Sequence, residues 1–218
     1  MATRGIQSLK NKKILITAGP TWVPIDKVRV ISNVASGETG VLLAERLQRL
    51  GARVTLLLGP AEACCLNKKI TLIRFKFFDE LKRKISQELK TKKYDIVIHS
   101  AAVSDYQLQR PYQDKVKSGL RKWRLNLVPT KKIIDFLKRI DRSLFLVGFK
   151  FEPKAKRNNL IKNSAQMIGS AHLDLAVANT INKNQYRAYI LDHHRVYGPL
   201  LNKEKMAEKL ITLIGEYL

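Results

Sequence analysis

The sequence predicts an α/β protein with a doubly wound, mostly parallel, Rossmann-like sheet, a C-terminal hairpin and a long basic loop. Short apolar runs rich in β-branched residues alternate along the chain with amphipathic stretches of helical period. Small, glycine-bearing turns lie between the first of these runs and the helical stretch that follows it. Strands that alternate with helices are typical of βαβ units, whose strands run parallel.

The first βαβ unit is the clearest part of this pattern. Residues 13–17 form a short apolar run that stops at a loop beginning Ala18-Gly19-Pro20. A stripe of apolar residues at helical spacing follows between residues 41 and 50 and closes at Gly51. Residues 54–58 form the next apolar run. We therefore predict a strand, a helix and a parallel strand here.

The alternation continues to the end of the chain. Further strands are predicted over residues 70–73, 94–99, 144–149 and 173–178. Helices are predicted from the apolar positions within residues 78–89, 133–137, 160–168 and 206–214. Residues 186–191 and 195–197 resemble the strands of a terminal hairpin.

A long polar segment, residues 107–124, interrupts this rhythm. It is rich in lysine and arginine and is broken by Pro111 and Gly119. Long loops inside compact domains are usually functional or disordered. Two interpretations stay open: a loop that folds over a phosphorylated ligand, or a solvated excursion at an oligomer interface.

The chain is predicted to form one domain over residues 13–218, preceded by a disordered or loosely attached segment, residues 1–12. This segment lacks the apolar block of a secretory signal, and no apolar run approaches the roughly 20 residues of a membrane span. Cytoplasmic residence is therefore expected. The adjacent cysteines, Cys64 and Cys65, lack the spacing of a metal site or a redox pair. No metal-ligating residues are predicted.

The net charge of +23 is the strongest compositional anomaly. Clustered lysine and arginine residues neutralise nucleic-acid phosphates, so nucleic-acid binding is one interpretation. The basic residues are spread along the whole chain, however, which also fits charges on solvated helix faces. In either case the positive field would attract anionic substrates.

Two short segments carry most of the chemical information. Residues 31–40 place Asn33 and a glycine turn before a helix, where free backbone N–H groups can bind an anion such as phosphate. Residues 101–106 place Asp105 just beyond a strand, where open α/β sheets bind their ligands. The alternatives are that Asn33 caps the helix, that Gly37 and Gly40 only permit close packing, and that Asp105 is a turn residue.

The glycine turn matches neither common nucleotide-binding fingerprint. It lacks the Gly-Lys-Ser/Thr of a Walker loop and the full glycine set of a dinucleotide site. No acidic residue closes the strand at residues 54–58, so the ribose partner of NAD enzymes is missing. A nicotinamide-dependent reductase is therefore disfavoured.

Several motifs in one order resemble a known enzyme family. They are Ile16-Thr17-Ala18-Gly19-Pro20-Thr21, Pro24-Ile25-Asp26-x-Val28-Arg29-x-Ile31-Ser32-Asn33, Ser36-Gly37-x-x-Gly40, Ala101-Ala102-Val103-Ser104-Asp105-Tyr106, Asp114-Lys115-Val116-Lys117, Val147-Gly148-Phe149 and Val177-Ala178-Asn179. This set resembles phosphopantothenate–cysteine ligase, which acts in coenzyme A biosynthesis. The resemblance runs from about residue 12 to the C-terminus.

The resemblance implies a ligation in two steps, with 4′-phosphopantothenate, L-cysteine and a nucleoside triphosphate as substrates. The pantothenate carboxylate attacks the α-phosphate and releases pyrophosphate, and the cysteine amine then displaces the nucleotide from the acyl-nucleotide. CTP is favoured over ATP, with Mg²⁺ bound to the triphosphate, in a homodimer. Many bacterial relatives carry an N-terminal flavin-dependent decarboxylase. Because the first strand is predicted near Lys13, neither that domain nor flavin is expected on this chain.

The resemblance also implies roles for individual residues. Asn33 and Lys115 would be catalytic, with Asn33 binding the pantothenoyl amide and the acyl-nucleotide and Lys115 meeting the triphosphate. The residues expected to bind phosphopantothenate are Arg29, Asn33, Ala101, Ala102 and Asp105. The residues expected to bind the nucleotide are Gly19, Gly37, Gly40, Lys115, Lys117, Phe149 and Asn179.

The sequence departs from the family pattern at three places. Pro20 stands where a second glycine is common, which removes one backbone N–H. Ala35 replaces a serine of the Ser-Ser-Gly turn and removes a hydroxyl. The run Phe149-Lys150-Phe151-Glu152 resembles stand-alone and eukaryotic-type members more than bacterial ones.

Overall fold

The computed structural model describes residues 7–65 and 67–218, and within them eight strands form a central sheet. The strand order is β12-β11-β10-β9-β6-β1-β4-β5. The strands of this sheet are β1 (Lys13–Ala18), β4 (Arg53–Leu58), β5 (Thr71–Arg74), β6 (Ile96–His99), β9 (Phe145–Phe151), β10 (Leu175–Asn182), β11 (Gln185–Leu191) and β12 (Val196–Leu200). From β5 through β10 every neighbouring pair is parallel, whereas β11 and β12 are antiparallel additions at one edge.

Helices cover both faces of the sheet. They are α1 (Glu38–Arg49), α2 (Phe78–Thr91), α3 (Ile134–Ile140), α4 (Arg157–Ala171) and α5 (Lys203–Tyr217). Helices α1 and α5 pack on one face, which we call face A, and contribute its buried apolar residues together with alternate strand positions. Helices α2, α3 and α4 cover the opposite face, face B. The predicted doubly wound α/β architecture is therefore confirmed.

The crossover direction changes between β1 and β6, which are neighbours in the sheet. From β1 the chain moves through β4 to β5 at one edge, then returns to β6 on the other side of β1. After β1 the chain leads to α1 on face A, and after β6 it leads to α3 on face B. Open α/β sheets bind their ligands at such a crossover, at the carboxyl ends of the strands, and we call this place between β1 and β6 the crevice.

Two small antiparallel ribbons project from the carboxyl ends of β1 and β6. One pairs β2 (Trp22–Pro24) with β3 (Val30–Ser32), and the other pairs β7 (Tyr106–Leu108) with β8 (Leu127–Pro129). Val23, Ile25 and Leu108 form a small apolar core between the ribbons. The segment predicted as a loop over residues 107–124 is thus mostly the connection of a hairpin, since Gln107 and Leu108 belong to β7.

The N-terminal prediction falls partly outside the described residues, because residues 1–6 are not among them. Residues 8–12 pack against the domain. Leu9 is fully buried, the Ser8 hydroxyl donates to the Gly215 carbonyl, and the Asn11 N–H donates to the Gly51 carbonyl at 2.9 Å. The packed part of the chain therefore begins before Lys13.

Candidate active site

The loops that follow β1 and β6 are joined by hydrogen bonds. The Ala102 N–H donates to the Gly19 carbonyl at 2.9 Å, and the Thr21 N–H donates to the Ala102 carbonyl at 3.3 Å. The buried Thr21 hydroxyl accepts from the Ser104 N–H at 2.9 Å. These bonds extend the β1–β6 pairing beyond the sheet and fix the backbone of the loop that carries Ala101, Ala102 and Asp105.

Asn33 lies against this loop although it is remote from it in sequence. Its Nδ2 donates to the carbonyl of Ala102 at 3.0 Å and to that of Val103 at 3.3 Å. Helix α1 begins only at Glu38, with Gly37 as its N-cap. The alternative in which Asn33 caps this helix is therefore wrong. Because both bonds use the amide nitrogen, the Asn33 Oδ1 stays available as an acceptor.

The glycine turn combines a helix N-terminus with close packing. Gly37 adopts a left-handed conformation, with φ of 77°, and α1 has no side-chain cap. The Glu38 N–H donates to the Ser36 hydroxyl at 3.4 Å, and the next backbone N–H groups of the first turn are available to an anion. Gly40 has a separate packing role, because a Cβ atom there would lie 2.3 Å from the Ala18 Cβ. Gly37 and Gly19 are neighbours, since a Cβ on Gly37 would lie 3.5 Å from the Gly19 Cα.

Arg29 is held by a buried carboxylate at the tip of the first ribbon. Its Nη1 donates to Asp26 Oδ2 at 2.9 Å and its Nη2 to the Val116 carbonyl at 3.1 Å. The guanidinium carbon lies 5.1 Å from the centre of the Trp123 ring. The Arg29 side chain is only about one-third exposed, so it is a positioned group and not a free surface charge. Three of its five donor hydrogens stay available for a ligand.

Asp26 joins the two ribbons. Its side chain is fully buried and also accepts hydrogen bonds from the backbone N–H groups of Val28, Arg29 and Val116. Burial opposes ionisation, but these three backbone bonds and the Arg29 charge outweigh it and hold the pKa of Asp26 below its usual value. Sequence reasoning included Asp26 within a motif but did not assign it this role.

These bonds position the segment that contains both predicted lysines. Val116 lies between Lys115 and Lys117 and is bonded on both sides, through its N–H to Asp26 and through its carbonyl to Arg29. Asp114 forms an exposed ion pair with Lys27 at 2.7 Å. Lys115 and Lys117 are themselves exposed. The structure therefore places them beside the 25–29 turn, with their ammonium groups in solvent.

Phe149 and Asn179 lie on neighbouring strands, β9 and β10, on face A. Phe149 is half-buried and packs against the apolar core, so part of its side chain is used in packing. The Asn179 Oδ1 is buried and has no hydrogen-bond partner among the described residues. A buried polar atom without a partner is costly in free energy unless a ligand satisfies it.

A buried pair at the base of the crevice was missed by sequence reasoning. Thr17 Oγ1 and His99 Nδ1 share a hydrogen bond of 2.8 Å, and the Ala101 N–H donates to the same hydroxyl at 3.3 Å. Burial lowers the pKa of His99 to about 4, so its imidazole is neutral at physiological pH. The sequence signal that could have revealed this pair is a polar residue, Thr17 or His99, at the carboxyl end of each of two apolar strands.

The described residues offer no protein cage for a metal ion. No group of three or more histidine, cysteine, aspartate or glutamate side chains lies together in residues 7–65 and 67–218. Cys64 and Cys65 are free thiols in the loop after β4. In the same part of the chain, no helix has the length and apolarity to cross a bilayer.

Sheet, helices and site together define an α/β domain of the Rossmann-like class, with polar groups gathered at the crossover between β1 and β6. The family model described as the DNA/pantothenate metabolism flavoprotein C-terminal domain matches residues 9–217, and the chain belongs to this family.

Sequence relatives agree with this assignment. The chain is 37% identical over 217 residues to the coenzyme A biosynthesis bifunctional protein CoaBC of Thermococcus kodakarensis, covering 97% of this chain and 53% of the relative. It is 31% identical to the CoaBC of Bacillus subtilis, covering 95% of this chain and 52% of that protein. The chain thus spans about half the length of these curated relatives.

Solved structures share the fold. A DNA/pantothenate metabolism flavoprotein from Streptococcus pneumoniae superposes with a TM-score of 0.84 at 26% identity, covering 95% of this chain and all of the other. A Cab2 mutant, H337A, in complex with phosphopantothenate-cysteine superposes with a TM-score of 0.78 at 18% identity, covering 99% of this chain and 92% of the other. The latter likeness concerns the fold alone.

Proposed function

We propose that this chain joins 4′-phosphopantothenate to L-cysteine through an acyl-nucleotide. The observation that carries the proposal is the Asn33 carboxamide, fixed by the Ala102 and Val103 carbonyls at 3.0 and 3.3 Å between the glycine turn and the Asp105 loop. The family match and the CoaBC relatives support the same activity. They give no support to the nucleic-acid-binding alternative.

The first step transfers the nucleotide to the pantothenate carboxylate. A carboxylate oxygen attacks the α-phosphorus, a new P–O bond forms, and the bond to pyrophosphate breaks. The free N–H groups at the start of α1 would bind phosphate oxygens, and the Lys115 and Lys117 ammonium groups would offset the charge that accumulates on pyrophosphate. Mg²⁺ would enter with the nucleotide as its chelate, which needs few protein carboxylates.

The second step forms the amide. The cysteine amine attacks the acyl carbon, the nucleoside monophosphate leaves, and the amine loses its proton. The Asn33 Oδ1 is suited to accept a hydrogen bond from the substrate amide or the attacking amine, because its amide nitrogen is already bonded to the loop. Pre-positioning of this kind lowers the entropic part of the barrier.

Phe149 and Asn179 would contact the nucleotide. The exposed part of the Phe149 ring offers a stacking surface, and the unsatisfied Asn179 Oδ1 accepts a hydrogen bond from a donor such as an exocyclic amine. Cytosine and adenine both carry such an amine. CTP as the preferred nucleotide is part of the proposal.

A homodimer that docks through the two ribbons is also proposed. Several large apolar side chains on or beside the ribbons are exposed, namely Val28, Val30, Tyr106, Tyr112 and Leu127. Contiguous exposed apolar surface often marks an interface. In such a dimer the remaining Arg29 donors would bind the phosphate of phosphopantothenate held by the partner protomer.

Pyrophosphate release by the purified protein tests the proposal. The assay contains 4′-phosphopantothenate and Mg²⁺, with and without cysteine, and compares CTP with ATP. We expect a cysteine-dependent product with the mass of phosphopantothenoylcysteine, and faster release with CTP. Turnover with neither nucleotide would refute the ligase assignment, and equal rates would refute the preference for CTP.

Sedimentation equilibrium tests the proposed homodimer. A monomeric mass at the protein concentration of the assay would contradict it.

Two variants with matched controls connect the activity to the site. Asn33→Ala and Lys115→Ala should each lower the rate of product formation by roughly 100-fold or more, as loss of a group that acts in the transition state does. Asn158→Ala, on an exposed helix position, and Lys122→Ala, in the same long connection as Lys115, should keep the parental rate. A parental rate in Asn33→Ala would remove Asn33 from the mechanism.

A further inference from the structure

A polar cavity lies on face B beside β10 and β11, away from the crevice between β1 and β6. Its volume is about 160 Å³. The start of α4 and the β10–β11 hairpin enclose it, and its lining includes Arg157, Thr180, Lys183, Arg187 and Tyr189. No acidic side chain contributes to the lining.

The cations of this cavity are not neutralised by acidic groups. Arg157, Lys183 and Arg187 form no ion pair with any carboxylate of residues 7–65 and 67–218. The Arg157 guanidinium carbon lies 5.5 Å from the centre of the Tyr189 ring, which restricts its position. Three positive side chains around one small cavity, without a counter-charge, favour an anion there.

Thr180 supplies an independent indication of a ligand. This residue is only 7% exposed, it lines the cavity, and its hydroxyl has no hydrogen-bond partner among the described residues. Val would fill the same space without leaving a buried hydroxyl unsatisfied. A ligand oxygen in the cavity would satisfy this donor.

The start of helix α4, which forms the wall of the cavity opposite Thr180, adds backbone hydrogen-bond donors. Helix α4 begins at Arg157 after Lys156, and no side chain caps its N-terminus. Its first N–H groups are therefore available next to Ala155 and Arg157, which line the cavity. On the other wall, Lys183 and Asn184 have φ of 47° and 61°, a two-residue turn that holds the Lys183 backbone at the rim.

We propose that this cavity is a second anion site, which binds the phosphoryl group of a small phosphate-bearing molecule or inorganic phosphate. It differs from the nucleotide position proposed above, because Asn179 and Phe149 lie on face A whereas Thr180 faces α4 on face B. The helix N-terminus, the guanidinium groups and the Thr180 hydroxyl are all donors, which matches the acceptor oxygens of phosphate. This inference is independent of the ligase proposal.

A titration with inorganic phosphate at constant ionic strength tests the site, with ¹H–¹⁵N spectra as the readout. We expect saturable shifts in the backbone amides of residues 180–187 and at the start of α4. Arg187→Gln should weaken the phosphate affinity read at these amides by roughly tenfold, as expected for loss of a charge-assisted hydrogen bond. Lys183→Gln should weaken it in the same direction.

Thr180→Val separates the hydroxyl from the charges. It should weaken phosphate binding at residues 180–187 and leave the melting temperature in the absence of phosphate unchanged or higher, because a buried unsatisfied hydroxyl is removed. Arg53→Gln, an exposed charge at the opposite end of the sheet, is the matched control and should keep the wild-type affinity. Methyl glycerol phosphate in place of phosphate distinguishes a phosphate ester from the free ion.

Two results would overturn the proposal. One is the absence of saturable shifts at residues 180–187 with both probes. The other is shifts whose phosphate dependence is the same in the wild type, Arg187→Gln and Thr180→Val. Phosphate bound at the candidate active site would instead shift residues of the glycine turn and the 101–105 loop, which all of these variants retain.

Discussion

At the residue scale, Gly40 carries a packing requirement apart from any contact with phosphate. A Cβ atom at this position would lie 2.3 Å from the Ala18 Cβ and 3.1 Å from the Ser100 hydroxyl. Both neighbours belong to strand ends that form the floor of the crevice. The close approach of α1 to β1 therefore depends on the missing side chain.

Gly40→Ala should lower the free energy of unfolding by about 1–3 kcal/mol, since the inserted methyl forces strand and helix apart. Urea denaturation measures it. Ala18→Gly in the same chain should restore part of the loss. Gly169→Ala is the control, because a methyl group on that helical glycine would meet nothing within 4 Å, and it should gain up to about 1 kcal/mol from helix propensity. Equal effects at both glycines would contradict the packing argument.

The titration of one buried side chain, His99, makes the free energy of unfolding depend on pH. Its folded pKa is about 4, whereas the unfolded chain has the ordinary value near 6.5. Below pH 6.5 the unfolded state therefore binds a proton that the folded state does not. Stability should fall as the pH drops from about 6.5 to about 4, by an amount on the order of 2–3 kcal/mol.

The variant His99→Gln removes this titration. Unfolding free energies measured between pH 4 and pH 7 should show a shallower slope in the variant than in the wild type. The difference between the two curves isolates His99 from carboxylates such as Asp26, whose lowered pKa makes them lose their contribution at the acidic end. Parallel curves would show that the Thr17–His99 pair does not hold a neutral imidazole.

At the element scale, the two ribbons depend on a shared carboxylate. Asp26 binds both the turn that carries Arg29 and the segment that carries Lys115. The exposed Lys27–Asp114 pair joins the same two segments, with side chains 70% and 83% exposed. The buried bond from the Val116 N–H to Asp26 and the exposed Lys27–Asp114 ion pair join the same two segments, so their contributions can be compared directly.

Asp26→Asn should loosen residues 109–126, because an amide NH₂ placed at the Oδ2 position would face the Val116 N–H and the Arg29 guanidinium. We expect trypsin to cleave at the basic residues of this segment several-fold faster, and the rate of pyrophosphate release to fall.

Lys27→Ala removes only the exposed pair, which contributes at most about 1 kcal/mol, and should change neither readout appreciably. If both variants were cleaved at the wild-type rate, the segment would be held by other contacts.

At the scale of the whole molecule, the charge of +23 gives the protein a positive field that is separate from its fold. Exposed charges act over about 10 Å at 0.1 M salt and less at higher salt. Such a field raises the encounter rate of polyanionic substrates and leaves zwitterions nearly unaffected.

Under the ligase proposal, the KM for the nucleotide should rise several-fold with increasing ionic strength, while kcat and the KM for cysteine change little. Steady-state kinetics in increasing potassium chloride measure all three quantities. Cysteine is the internal control, since it has no net charge at neutral pH. Equal salt dependence of both KM values would show that the surface charge does not steer the nucleotide.

The sequence by itself determined the strands of the central sheet, the helices and their order along the chain. Apolar runs such as residues 14–17 and 54–58 are buried on both faces, so their continuous hydrophobicity is a local signal that predicts parallel strands. The glycine turn and the polar residues after strand ends could also be found, because turn chemistry and strand termination depend on neighbours in sequence.

Only the tertiary structure decided which distant groups meet. The contact of Asn33 with Ala102, 69 residues away, the Thr17–His99 pair and the links from Asp26 to Val116 join separate elements. The ribbons were missed because three-residue strands carry too little periodicity to be recognised. The cavity around Thr180 likewise needs α4 and the β10–β11 hairpin to come together. Local patterns specify elements, whereas packing across the sheet places their functional groups.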